Sequence, residues 1–177
     1  MKTGKKRLLP PGEFLLRFFF AFGASYLALI ALSQGLLSNA FAFLEFQALE
    51  ALGVEGVRLE DNYLFFQDAV FNLNESCIGI VSASMVLGLV ASSVGLSQVN
   101  RLRTLACGVA SMAVVNFFRV LVVLYSVPFY GPDFAEALHV ASWFVMAVGT
   151  IFAWYYFAKK FDRKIKTLQD VVVLRKQ

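Results

Sequence analysis

The sequence predicts an all-α integral membrane protein: a four-helix transmembrane bundle with a short extracytoplasmic β-prone and interfacial segment between its first and second spans. Three observations predict it. Hydrophobic residues make up 59% of the 177 positions and charged ones only 16%, against about 45–50% and about a quarter in soluble domains. Four apolar runs are each about 20 residues long, enough to cross about 30 Å of hydrocarbon. Lysine and arginine sit in alternate connections. The whole chain, 1–177, reads as a single membrane domain.

The first span is expected over about residues 14–37, behind the basic stretch Lys2, Lys5, Lys6 and Arg7 and the breaker Pro10-Pro11. It is longer than the apolar core of a signal peptide and runs on past Gly23, Ala24 and Ser25, so it is expected to stay as an anchor. The next apolar stretch, 38–52, carries Glu45 and Glu50. A span there would reverse every later orientation, so it is expected to be a helix lying in the outer interface. From 53 to 74, Val57-Arg58-Leu59, Tyr63-Leu64-Phe65-Phe66 and Ala69-Val70-Phe71 are separated by Glu60-Asp61-Asn62 and Gln67-Asp68. Short β-prone runs divided by turn residues predict a small hairpin-like element. The extracytoplasmic segment as a whole is 38–76.

The second span is expected over 77–96, the third over 105–127 and the fourth over 139–158, with a basic tail at 159–177. Basic residues mark the N-terminal segment, the connection bearing Arg101 and Arg103, and the tail that begins at Lys159-Lys160, whereas the other two connections collect acids and hold only Arg58. Both termini are therefore expected in the cytoplasm of a multi-pass cell-membrane protein. The formal charge of +4 and the pI near 9.2 follow from this patterning, so no nucleic-acid partner is expected.

Four polar residues stand out against the apolar background. Arg119 lies about eight residues from the outer end of the third span, where a charge costs roughly 2.5–3.5 kcal/mol on insertion scales. Asn116 is one turn earlier on the same helix face. Cys77 is expected at the outer N-terminus of the second span, behind Asn74 or Ser76 as cap, where free amides and the helix dipole favour a thiolate. His139, the single histidine, is expected to open the fourth span. The other cysteine, Cys107, is placed nearly a membrane thickness from Cys77, too far for a disulfide. Topology thus brings Cys77, Asn116, Arg119 and His139 to one leaflet. A thiol, an imidazole and a guanidinium can serve as nucleophile, proton carrier and anion stabiliser in acyl transfer. No metal or nucleotide motif is seen, and no cofactor is expected. The competing readings are a small transporter in which Arg119 binds an anion and a scaffold in which Arg119 bridges helices.

These residues resemble the archaeosortase/exosortase family of membrane transpeptidases, on three motifs: Glu75-Ser76-Cys77-Ile78-Gly79-Ile80, Asn116-Phe117-Phe118-Arg119-Val120, and His139 at the head of the following helix. The resemblance covers roughly 53–158. It implies a cysteine enzyme with its active site on the extracytoplasmic face. Such an enzyme cleaves secreted proteins whose C-terminal signal combines a short motif, a transmembrane segment and a basic cluster. It then passes the acyl group to an acceptor, in some systems a membrane lipid. Carried onto this chain, Cys77 is the nucleophile, His139 the proton carrier, Arg119 the stabiliser of the thiolate or oxyanion, and Asn116 the residue that orients Arg119.

Overall fold

The computed structural model describes residues 11–33, 35–67, 69–93 and 96–162. The basic N-terminal stretch and most of the basic tail lie outside the described residues. The elements in order are α1 (Pro11–Ser33), α2 (Leu36–Ala51), β1 (Arg58–Glu60), β2 (Tyr63–Phe65), β3 (Val70–Asn72), α3 (Ile80–Ser92), α4 (Gln98–Tyr130) and α5 (Pro132–Phe161).

Among the described residues three helices, α1, α4 and α5, are long and apolar enough to cross a membrane. Their outward faces carry Phe19, Phe20, Leu27, Phe118, Val122, Phe144, Val145 and Phe152, all exposed, a surface that suits hydrocarbon rather than water. The expectation of four spans is corrected here. The second run, expected over 77–96, yields a helix of 13 residues, about 20 Å long and well short of the hydrocarbon thickness. Its start is delayed because residues 74–79 form a turn that ends on Gly79 at φ +86°, a left-handed conformation that glycine adopts without penalty. α4 and α5 run beyond both of their expected ends, whereas α1 starts three residues early and stops at Ser33, short of the expected 37, because a left-handed Gly35 separates it from α2. α4 begins at Gln98 behind the N-cap Ser97, whose side chain accepts from the Asn100 amide. α5 begins at Pro132, directly after the turn residue Gly131.

α4 and α5 form a hairpin about that turn, with Arg101 and Arg103 at one end and Lys159 and Lys160 at the same end of the partner helix. α3 is wedged between α1, α4 and α5. Small residues set the closeness: a Cβ at Gly108 would stand 2.9 Å from Val86, and one at Gly88 would stand 3.0 Å from the Phe18 ring. Such close backbone approach is how membrane helices gain dispersion energy when lipid offers no hydrophobic contrast. Val86, Leu89, Met112, Met146 and Trp154 fill the core of this half. The C-terminal end of α3 is tied down by polar contacts: the Trp154 indole donates to the Ser93 hydroxyl at 3.0 Å, and the Arg101 guanidinium donates to the Ser93 carbonyl.

The other half is built by α2 and the strands. β1, β2 and β3 form one antiparallel sheet in sequence order, pairing Leu59 with Leu64 and Leu64 with Phe71. The three strands fall on the three β-prone runs, and Asp61, at φ 54°, makes the first turn. Asx residues tolerate that conformation. Alternation sends Leu64 into the interior while Arg58, Glu60 and Tyr63 stay exposed. A second apolar cluster joins Ala42 and Leu49 of α2, Leu64 and Leu73, Cys77, and Val120, Leu121 and Leu124 of α4. The sheet and the 74–79 turn thus occupy, beside the upper part of α4, the length that a longer α3 would have filled.

Candidate active site

The turn that delays α3 carries Cys77. The Asn74 side chain accepts from the Ser76 amide at 3.1 Å, and the Asn74 carbonyl accepts from the Cys77 amide at 2.9 Å. Cys77 therefore sits three residues before the helix, not at its dipole-bearing first turn, and Asn74 caps a turn rather than α3. The thiol donates to the Asn72 carbonyl at 3.9 Å and is 8% exposed. Burial pushes this thiol up from its ordinary value, opposed by the Ser76 side chain and the positive charge of Arg119. The expected activation by a helix N-terminus is thus replaced by a buried thiol with a guanidinium nearby.

Asn116 connects that turn to α4. It is 1% exposed, and its Nδ2 donates to the Cys77 carbonyl at 2.6 Å while its Oδ1 accepts from Arg119 Nη1 at 3.2 Å. Gly79 makes room for it: a Cβ there would stand 3.2 Å from Asn116 Nδ2. The spacing of Cys77, Gly79 and Asn116 thus has a steric reason, because a side chain two residues after the cysteine would displace the amide that holds it.

Arg119 reaches across the α4–α5 seam. Its Nε donates to Ser142 Oγ at 2.7 Å, its Nη2 donates to the His139 carbonyl at 3.3 Å, and its guanidinium packs over the Trp143 ring with Cζ 5.0 Å from the centroid. The same Nη2 lies 3.3 Å from His139 Nδ1 and 3.5 Å from Nε2. Near-equal distances to both nitrogens set it over the ring rather than on either in-plane lone pair. The Trp143 indole donates to His139 Nε2 at 3.3 Å. Since indole N–H only donates, Nε2 is an acceptor in the resting site and the neutral imidazole carries its proton on Nδ1. His139 lies two turns inside α5, not at its head as expected, and is held from within its own helix.

Cys77 and His139 line one cavity of about 380 Å³, together with Asn72, Asn74, Ser76, Val120, Leu124 and the acidic pair Asp133 and Glu136. The structure thus gathers all four predicted residues: Cys77 and His139 at the cavity, with Arg119 and Asn116 as the links between them. Cys107, on α4, is a free cysteine apart from this site. Ser142 and Trp143 were missed at the level of sequence, although both were within reach of it. They stand three and four residues after His139, and so on its face of the helix. Among the described residues no group of three or more His, Cys, Asp or Glu side chains is disposed to hold a metal ion.

No curated protein and no solved structure matches the chain significantly. The sequence profile of transmembrane exosortases, however, matches residues 6–155. That span takes in α1 through most of α5, with the Cys77 turn, the Asn116 and Arg119 pair and His139 all inside it. By that match, over well more than half its length, this apolar chain belongs to the transmembrane exosortase family.

Proposed function

We propose that this chain is a membrane-embedded cysteine transpeptidase that cleaves C-terminal sorting signals from secreted proteins, with Cys77 as nucleophile. The observation that carries this reading is the single hydrogen-bonded path from the Cys77 carbonyl through Asn116 to Arg119 and on to His139, beside one cavity. A scaffold role for Arg119 would account for the guanidinium alone, not for a thiol and an imidazole on the same cavity.

In the reaction, the Cys77 thiol gives up its proton to His139 Nε2, which releases its hydrogen bond from the Trp143 indole, as Sγ attacks the scissile carbonyl carbon. The oxyanion that forms is stabilised by the positive charge of Arg119. The carbon–nitrogen bond then breaks, the leaving amine takes the proton from His139, and the substrate remains as a thioester on Cys77. An acceptor amine or hydroxyl attacks the thioester next. Its proton passes by way of His139 to the departing sulfur, which restores the thiol. Ser142 holds Arg119 throughout, and the Trp143 indole holds His139 whenever Nε2 is unprotonated.

The substrates are secreted proteins that carry a recognition motif, a transmembrane segment and a basic cluster, and a membrane lipid is one class of acceptor. The site faces the extracytoplasmic side and both termini face the cytoplasm. This orientation is supported by Arg101, Arg103, Lys159 and Lys160 at one end of the α4–α5 hairpin and by Asp133 and Glu136 at the other. Co-expression with a secreted protein bearing such a signal is expected to yield a Cys77–substrate adduct detectable by mass spectrometry. Cys77→Ala is expected to abolish both adduct and cleavage. Activity that survives Cys77→Ala but is lost with Arg119→Ala would overturn this function in favour of a transporter that binds an anion at Arg119.

A further inference from the structure

A carboxyl group lies buried near the Cys77 turn with nothing to bond. Glu45 belongs to the inner face of α2, formed by Ser38, Ala42, Glu45 and Leu49 at helical spacing. Its side chain is 0% exposed, and neither of its carboxyl oxygens has a hydrogen-bond partner. Ala42 and Leu49, one turn to either side, pack in the same apolar cluster as Cys77, Val120, Leu121 and Leu124. A negative charge on Glu45 and one on Cys77 therefore oppose each other.

An orphaned buried polar group destabilises a fold, and an ionised one does so far more. A leucine or methionine would fill the same place on α2 without that cost. Burial pushes the Glu45 carboxyl up to about 8, so at neutral pH the group is a neutral acid. Few other charges bear on it. Arg58, Glu60 and Tyr63 of the sheet are exposed, Glu13 and Arg17 of α1 pair with each other, and Tyr26 of α1 stacks on Phe22. On the α4 side stands Arg119, already engaged with Ser142, Asn116 and His139. Around the thiol itself, Arg119 favours the anion, and Asp133, Glu136 and His139 line the far side of the cavity.

We propose that Glu45 is a positioning residue for Cys77 that acts through charge: as a neutral acid it lets the thiolate form, and once ionised it keeps Cys77 protonated. The only bond that breaks is the carboxyl O–H, its proton passing to water. When Glu45 loses its proton to solvent, the negative charge left on the carboxylate raises the energy of a second one on Sγ, and the thiol retains its hydrogen. This deepens the assignment of Cys77 as nucleophile, yet it is measurable without any substrate.

The test is iodoacetamide alkylation of Cys77 in the full-length protein in lipid nanodiscs, in a Cys107→Ala background, followed by peptide mass spectrometry from pH 6.5 to 9.5. Glu45→Gln is expected to match the parent within about twofold at pH 6.5, where both side chains are neutral. Above pH 8 the parent rate is expected to flatten. The variant continues to rise with the thiolate fraction and becomes about threefold faster or more by pH 9.5. Glu45→Met, apolar and of similar volume, is expected to behave like the Gln variant and supplies the reading if the latter folds poorly. Glu45→Asp, which keeps the charge, is expected to retain the flattening. Parallel profiles, or a constant offset at every pH, would overturn the proposal. Diverging profiles without any Cys77–substrate adduct would instead remove the transpeptidase function and leave the coupling in place.

Discussion

Arg119, half-buried on α4, and Glu45, fully buried on α2, are treated by the fold in opposite ways. Arg119 is given a hydroxyl, an amide oxygen, a main-chain carbonyl and an indole face, drawn from two helices. Glu45 is given no hydrogen bond, and Ala42 and Leu49, one turn to either side of it, pack in an apolar cluster. The difference teaches that charge is kept where it is surrounded by aligned dipoles and suppressed where it is not. The Cys77 turn lies between the two: the cation favours a thiolate and a carboxylate opposes it.

The sharpest way to break the comparison is to remove the engaged charge. Arg119→Ala is expected to lower substrate cleavage by about a hundred- to a thousandfold, the usual effect of losing an oxyanion stabiliser. Arg119→Lys keeps the charge but loses the planar fork that serves Asn116, Ser142 and the His139 carbonyl together. It is expected to recover only a small part of that loss. Single-turnover kinetics on an equal amount of folded protein makes the measurement, and full recovery by lysine would show that charge alone suffices.

The unengaged charge is expected to act on stability. Its carboxyl rises from 4.5 unfolded to about 8 folded, so the native state favours the proton and the unfolded state releases it first. The stabilisation that this preference contributes is complete below pH 4.5 and is lost as pH climbs to 8, by about 1.4 kcal/mol per unit and about 3 kcal/mol at pH 7. Thermal scans at pH 5 and pH 8 are expected to show a larger fall in melting temperature for the parent than for Glu45→Gln. An equal fall would mean that Glu45 titrates normally.

The smallest expected effect lies at the link between the two regions. Gly79→Ala places a Cβ on a left-handed residue and against the Asn116 amide. It is expected to cost about 1–2 kcal/mol and to slow Cys77 alkylation. A variant as stable and as reactive as the parent would show that the turn has slack.

Much of this was legible beforehand. α1, α4 and α5 announce themselves as long apolar runs, and the strands as β-prone triplets parted by Asx residues. Arg119, Asn116, Cys77 and His139 were legible because polar residues in apolar helices demand a reason. What misled was continuity: Cys77-Ile78 runs into Ile80-Val81 without a polar break, so the turn is visible only through Gly79, and a glycine within a helix pattern is a weak signal. The burial of Glu45 is not legible, because a sheet and a distant helix leave no trace in the local pattern of α2. Ser142 and Trp143 were passed over since each is unremarkable until His139 and Arg119 define their face.

Asn116 holds Arg119 with one end of its amide and the main chain of the Cys77 turn with the other. Such a side chain is a rigid strut. In the reaction proposed above, a shift of the guanidinium toward the scissile carbonyl would be carried, through one planar group, to the backbone beside Sγ. In the proposed reaction, stabilisation of the developing oxyanion and alignment of the attacking sulfur are thereby joined through a single side chain.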